Sequence, residues 1–213
     1  MTEKPYSLTA YQIRLLVVLV LINFVNFAAR QVFVPLIPLL RVHLSVSDAD
    51  LGALQTWLLL VLAVASVPFG FFADRISRKV IIWIGILCWS LATLAGGLAS
   101  TFASFLIARA FVGLGEAAYA PAAQSMISGA FPKERRAMAQ SIFATGMLLG
   151  GACGQVLGGI VGSHYGWQMA FFIVGIAGLI PSLALFPLRS LRAGRVRKLY
   201  RYPACFGSPR LWP

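Results

Sequence analysis

Five stretches of this chain carry no acidic or basic residue at all: Leu15 to Ala29, Leu51 to Ala73, Val80 to Ala108, Ala137 to Ser163 and Tyr165 to Leu188. A bilayer core of about 30 Å is crossed by a helix of roughly 20 apolar residues. Four of these runs suit single passes, whereas Val80 to Ala108 is long enough for one pass, a turn near Gly96 to Ser104, and the start of the next. The reading is an all-α, polytopic membrane protein with six transmembrane helices, at about 14-40, 50-73, 80-100, 103-130, 136-163 and 167-188. The runs are continuous and do not alternate with period two, which favours helices over a barrel. Charged residues are only 11% of the chain, against about 25% in soluble domains, too few for a water-facing surface.

The basic residues are sorted by side. Lys4 and Arg14 precede or open the first span, Arg75, Arg78 and Lys79 follow the second, Lys133, Arg135 and Arg136 follow the fourth, and seven more lie beyond Leu188. The opposite side carries only Arg41. Short loops rich in Lys and Arg stay cytoplasmic, so both termini are expected inside, in a cell (inner) membrane. The net charge of +12 is this asymmetry. Nucleic-acid binding is disfavoured, because the basic residues are divided among loops between apolar spans. The first apolar stretch is too long for a typical signal core and reads as a retained helix. Cys88, Cys153 and Cys205 show no metal-ligand spacing. No metal or other cofactor is expected.

The turn after the second span reads Gly70-Phe71-Phe72-Ala73-Asp74-Arg75-Ile76-Ser77-Arg78-Lys79. It resembles the signature of the major facilitator superfamily, Gly, three residues, Asp, Arg, any, Gly, Arg, Lys, with Ser77 in place of the second glycine. Gly70 is expected to permit close helix approach. The resemblance implies that Gly70, Asp74, Arg75, Arg78 and Lys79 form a latch between two halves of a transporter; the alternative is that the basic residues only set topology. Arg109-Ala110-Phe111-Val112-Gly113-Leu114-Gly115-Glu116-Ala117 resembles the family's fourth-helix motif, and with Pro121 it looks most like the Spinster-like branch, whose members export lysolipids and related amphiphiles. Gly150, Gly154, Gly158 and Gly159 resemble an antiporter motif in which Gln155 stands for proline. A small-residue face for tight helix packing is the simpler reading of those four, as of Gly113 and Gly115.

Three ionisable residues fall far from either membrane surface: Arg30 in the first span, and Arg109 and Glu116 in the fourth. Charge in hydrocarbon costs several kcal/mol and commonly marks a functional cavity. At 1.5 Å per residue, Glu116 lies ~20 Å from the outer end of its helix and Arg30 ~15 Å from that of its own, so the two can pair if their helices are neighbours. Burial and a nearby arginine pull a carboxyl's proton equilibrium in opposite senses. Glu116 is therefore the expected proton-coupling group, with Arg30 and Arg109 competing for it; the alternative is a static ion pair between helices. Asn23, Asn26 and Arg30 share one face and are read as cavity lining, with Gln55, Gln124 and Ser125 as further candidates. Branch members usually carry Asp directly before the Arg30 position, where this chain has Ala29. Pro35, Pro38, Pro121 and Pro181 are expected to bend their helices.

No phosphate-binding loop, Ser-His-Asp set or metal-ligand set appears, so the expected activity is secondary transport, not enzymatic catalysis. His43 and His164 fall at the outer membrane edge. The expected partners are a small solute (a lysolipid or organic anion), protons and membrane lipid. The family has two six-helix halves, so a separate C-terminal half or a homodimer is also expected. The alternative is a truncated half, active only as a membrane subunit or remnant. Residues 191-213 read as a basic cytoplasmic tail, with an ending like that of a truncated or frame-shifted frame.

Overall fold

The computed structural model describes residues 8–185, without the side chains of residues 73–75. The tail at 191-213 lies outside the described residues. Among those described there is no strand, and six helical segments are long and apolar enough to cross a membrane. The first is interrupted: α1 (Ala10–Gln31) passes through a 3-10 turn (Val34–Leu36) into α2 (Ile37–Leu44). Pro35 and Pro38 each sit near the start of one of these pieces, where a missing N–H costs nothing. Pro35 thus marks a break in helix type rather than a simple bend. The remaining spans are α3 (Asp48–Arg75), α4 (Arg78–Gly97), α5 (Phe102–Ala130), α6 (Lys133–Tyr165) and α7 (Trp167–Ala184). Pro68, Pro121 and Pro181 lie inside α3, α5 and α7 without ending them.

Three helices start with reciprocal caps. Thr9 and Gln12 close α1, Ser47 and Asp50 close α3, and Thr101 and Ser104 close α5. The Leu98–Thr101 link between α4 and α5 falls within the expected turn, and Thr101 Oγ1 accepts from the Ser104 N–H at 3.2 Å. Thr101→Ala is expected to cost about 1 kcal/mol, read as a lower unfolding midpoint in detergent.

α1 packs chiefly on α6, α5 on α4 and α3, and α4 on α7, while α1 and α6 both also reach α7. Glycines set the closest of these approaches. Along α6, Gly146, Gly150, Gly154, Gly158 and Gly162 recur every four residues, and opposite them on α1 and its 3-10 extension stand Val20, Phe24, Ala28, Val32 and Leu36, also every four. A side chain at Gly150 would run into the Phe24 backbone, and one at Gly154 into that of Ala28. On α5, a side chain at Gly113 would stand 2.6 Å from the Leu58 carbonyl of α3, and one at Gly115 2.6 Å from the Trp89 amide of α4. Two expected packing positions differ. Gly159 stands one residue off the stripe, exposed, where a side chain would meet only Pro35 Cβ at 3.8 Å. Gly70 has no described atom within 4 Å of where its side chain would stand.

The buried apolar residues form two clusters. One holds Leu15, Leu19, Ile22, Ile86, Trp89, Tyr119 and Met126, and the other Ala28, Val32, Phe33, Leu36, Phe105, Trp167 and Phe171. On α1 the seam between them is the stretch that carries Asn23 and Asn26.

Candidate functional site

Arg30 and Glu116 meet across that seam. Arg30 Nη1 donates to Glu116 Oε2 at 3.4 Å, joining the end of α1 to the middle of α5. The side chains are 18% and 5% exposed, so the pair is shielded on the glutamate side and touches the surface through the arginine. Glu116 Oε1 is buried with no hydrogen-bond partner among the described residues. The Arg30 guanidinium also lies 5.7 Å from the Phe27 ring centre, one turn back on α1. With one oxygen bonded and one bare, the ion pair is incomplete.

Arg109, expected to compete for Glu116, acts on it through space and not by contact. It makes no ion pair with Glu116 among the described residues. Its guanidinium sits over the Phe33 ring at 4.1 Å, with the rings of Phe105 and Phe171 at 5.8 and 5.9 Å. These rings come from three separate places in the chain: the link after α1, the first turn of α5, and α7. Aromatic faces attract a cation by their quadrupole, most strongly when water is excluded. Arg109 is 3% exposed, and its Nε and Nη2 have no hydrogen-bond partner among the described residues. Its neighbours belong to the interior of the bundle, and the direct contact with Glu116 falls to Arg30.

Both α1 asparagines are buried. Asn23 Nδ2 donates to the Phe143 carbonyl of α6 at 2.9 Å, an interhelical tie, whereas Asn26 Nδ2 is unpartnered among the described residues. The expected polar face therefore divides into one packing residue and two, Asn26 and Arg30, with free hydrogen-bonding capacity or a site partner. Gln124 and Ser125 lie apart from the site, near the other end of α5. There the Gln124 carbonyl accepts from Gln140 at 3.2 Å and the Ser125 carbonyl from Arg78 at 3.1 Å. Gln55 on α3 is half-buried and makes no hydrogen bond to the pair among the described residues.

In the turn between α3 and α4, Arg78 is buried and its bond to Ser125 ties the start of α4 to α5. Lys79 follows it, half-buried, in the first turn of α4. The side chains of Asp74 and Arg75 lie outside the description. The same end of α5 is held again where Gln12 Nε2 donates to the Ala130 carbonyl at 2.7 Å and Arg136 Nε to the Phe131 carbonyl at 3.1 Å. Side chains of α1, α4 and α6 thus converge on backbone oxygens of one helix.

Sequence reasoning missed Tyr119, Phe33, Phe105 and Phe171. Tyr119 lies one turn from Glu116, is buried, donates to the Leu19 carbonyl at 3.4 Å, and stands edge-on to Trp89. A signal existed for Phe105, four residues before Arg109 on the same helical face. Phe33 and Phe171 are distant in sequence and carried none.

The family model described as the Major Facilitator Superfamily matches residues 19–209. Protein spinster homolog 3 of Mus musculus is 33% identical over 177 residues, which are 79% of this chain and 34% of that protein. Sphingosine-1-phosphate transporter SPNS2 of Xenopus tropicalis is 28% identical over 201 residues, 92% of this chain and 39% of that protein. Among solved structures, a bacterial homolog of the human lysosomal transporter Spinster, inward-facing and unoccupied, superposes with a TM-score of 0.78 at 30% identity, covering 87% of this chain and 45% of that one. The chain spans between a third and two fifths of the length of these curated relatives.

Proposed function

Because the chain belongs to the Major Facilitator Superfamily, in its Spinster-like branch, and is an integral multi-pass membrane protein, we propose that it is a six-helix half of a proton-coupled secondary transporter for an anionic amphiphile. The observation that carries this reading is the Arg30–Glu116 contact at 3.4 Å, which links two helices inside an apolar bundle and leaves one carboxylate oxygen bare. When Arg30 turns toward an anionic solute, Glu116 loses its counter-charge and takes up a proton. When the solute leaves, Arg30 returns and the proton is released. The solute and the Glu116 carboxylate then compete for one arginine, so solute and proton bind and leave together, which is the linkage that cotransport requires. Arg30 suits this part because its side chain reaches the surface of the half. Arg109, Asn23 and Asn26 support the site from behind.

The substrate class rests on likeness. Three relatives carry the name sphingosine-1-phosphate transporter, and an apolar half with a reachable cation at Arg30 suits a single-chain lipid with a phosphate or carboxylate head. Ala29, at the position before Arg30, supplies no second acid, so Glu116 would carry the coupling alone. The turn of Asp74, Arg75, Arg78 and Lys79 is proposed as the latch to the other half, and its basic residues as the cytoplasmic side, with both termini inside. Membrane lipid covers the remaining apolar surface, and no nucleic acid or enzymatic reaction is involved.

The test is flux of a labelled lysolipid in proteoliposomes carrying this chain with a C-terminal half. Glu116→Gln is expected to remove the dependence of flux on an imposed pH gradient while the protein still folds. A gradient dependence equal to that of the wild type would refute the coupling role.

A second reading is that these six helices do not transport alone and serve as a membrane subunit that a C-terminal half completes. Flux from the chain by itself, as a homodimer, excludes it. Flux only after a separately expressed C-terminal half is added supports it.

A further inference from the structure

The edge of the Arg109 guanidinium points to a second ligand. Nε and Nη2, the two nitrogens without partners, share one side of the guanidinium plane and form its side-on fork. Such a fork holds one acceptor by two parallel N–H bonds. The rings of Phe33, Phe105 and Phe171 meet the cation through contacts with the ring faces, which leave the in-plane hydrogens unsatisfied. An uncompensated donor buried in a low-dielectric interior is costly, and a buried charge more so.

A small cavity of about 10 Å³ adjoins Arg109, walled by Ala92, Thr93 and Gly96 of α4, Phe105, Ala108 and Val112 of α5, and Phe171 of α7. It admits one water-sized body and no polyatomic solute. Thr93 has committed its hydroxyl proton to the Trp89 carbonyl at 2.7 Å, so among these walls only Arg109 offers polar hydrogens. The local charges are Arg30, Arg109 and Glu116, of which the first and last are paired with each other. One positive charge is left over, in a cavity of monoatomic size.

We propose that Arg109 and this cavity form a structural site for one small monovalent anion of the halide class, chloride in the cell, bridged by Nε–H and Nη2–H. The anion is a fixed part of the bundle and is separate from the transported solute. A water bridging Arg109 to the Thr93 oxygen is the rival occupant, and it gives no halide dependence.

Gly96 provides the test, because a methyl group there meets only Ala108 Cβ and Phe105 at 3.8 Å and Phe171 at 3.9 Å, ordinary contacts inside the cavity. Gly96→Ala therefore reduces the space without displacing a helix. The measurement is the thermal unfolding midpoint of the purified full chain at constant ionic strength, as gluconate is exchanged for chloride or bromide. The expected result is a saturable rise of a few degrees in wild type with either halide. In Gly96→Ala the rise is lost while the midpoint in gluconate is kept or raised. Arg109→Gln should also lose the rise; if that variant fails to fold, Gly96→Ala decides alone. Equal midpoints in gluconate and chloride for the wild type, or a halide response that persists in Gly96→Ala, would overturn the proposal.

Discussion

Alanine at Gly154 is expected to be among the most damaging single-methyl additions this chain can receive. The new methyl would meet the Ala28 backbone of α1, with Cα at 2.7 Å and the carbonyl nearer still. A flexible side chain could turn aside from such a contact, but backbone cannot. The helices must separate, and the neighbouring contacts of Gly150 with Phe24 and Gly158 with Val32 loosen with them. Overpacking a close-fitted site costs about 1–3 kcal/mol, sometimes more, and the rigid partner puts Gly154→Ala at the upper end or beyond. The higher helix propensity of alanine offsets about 1 kcal/mol. Gly159→Ala is the matched control: its methyl meets only Pro35 Cβ at 3.8 Å, so it keeps the propensity gain without the collision. Denaturant-driven unfolding in detergent should lower the midpoint of the first and leave or raise that of the second. Similar behaviour of the two variants would mean that α1 and α6 are not in backbone contact.

The second large effect concerns the ion pair and should be asymmetric. Removing one partner of a buried pair costs about 3–5 kcal/mol, because the other charge is left uncompensated, whereas replacing both with apolar residues is often neutral or better. The two single losses differ here. In Arg30→Met the surviving Glu116 can become neutral by taking a proton. In Glu116→Leu the surviving Arg30 cannot shed its charge, although its side chain at 18% exposure retains some access to solvent. Glu116→Leu is therefore expected to destabilise more than Arg30→Met, with Arg30→Met/Glu116→Leu recovering much of the loss. A double-mutant cycle on unfolding free energies measures this. Additive single effects would show that the two groups do not act as a pair.

The membrane spans were legible because hydrocarbon tolerates so few charges. The runs Leu51 to Ala73 and Tyr165 to Leu188 leave little choice of structure, and α3 and α7 begin within two residues of the expected positions. The pairing of Arg30 with Glu116 could be anticipated from depth alone, since two residues at similar depth on adjacent helices fall within reach. The surroundings of Arg109 could not. Depth along α5 gives no azimuth, and the Phe33 and Phe171 rings are brought in by α1 and α7 packing rather than by local sequence. Glycine positions were ambiguous for the same reason. Gly154 and Gly159 read alike in a string of small residues, but the four-residue repeat from Gly146 to Gly162 distinguishes them once the facing helix is known. Gly70 belongs to a recognisable motif, yet a side chain there would touch nothing among the described residues.

The stripe joining α6 to α1 has a mechanical result. A seam whose α6 side is glycine leaves few rotamers to switch among, and a slip of one or two residues would drive α1 against side chains of α6 in place of the glycine stripe. The two helices are therefore expected to move as one body. Under the proposed transport role, the motion that opens a path carries α1 and α6 together.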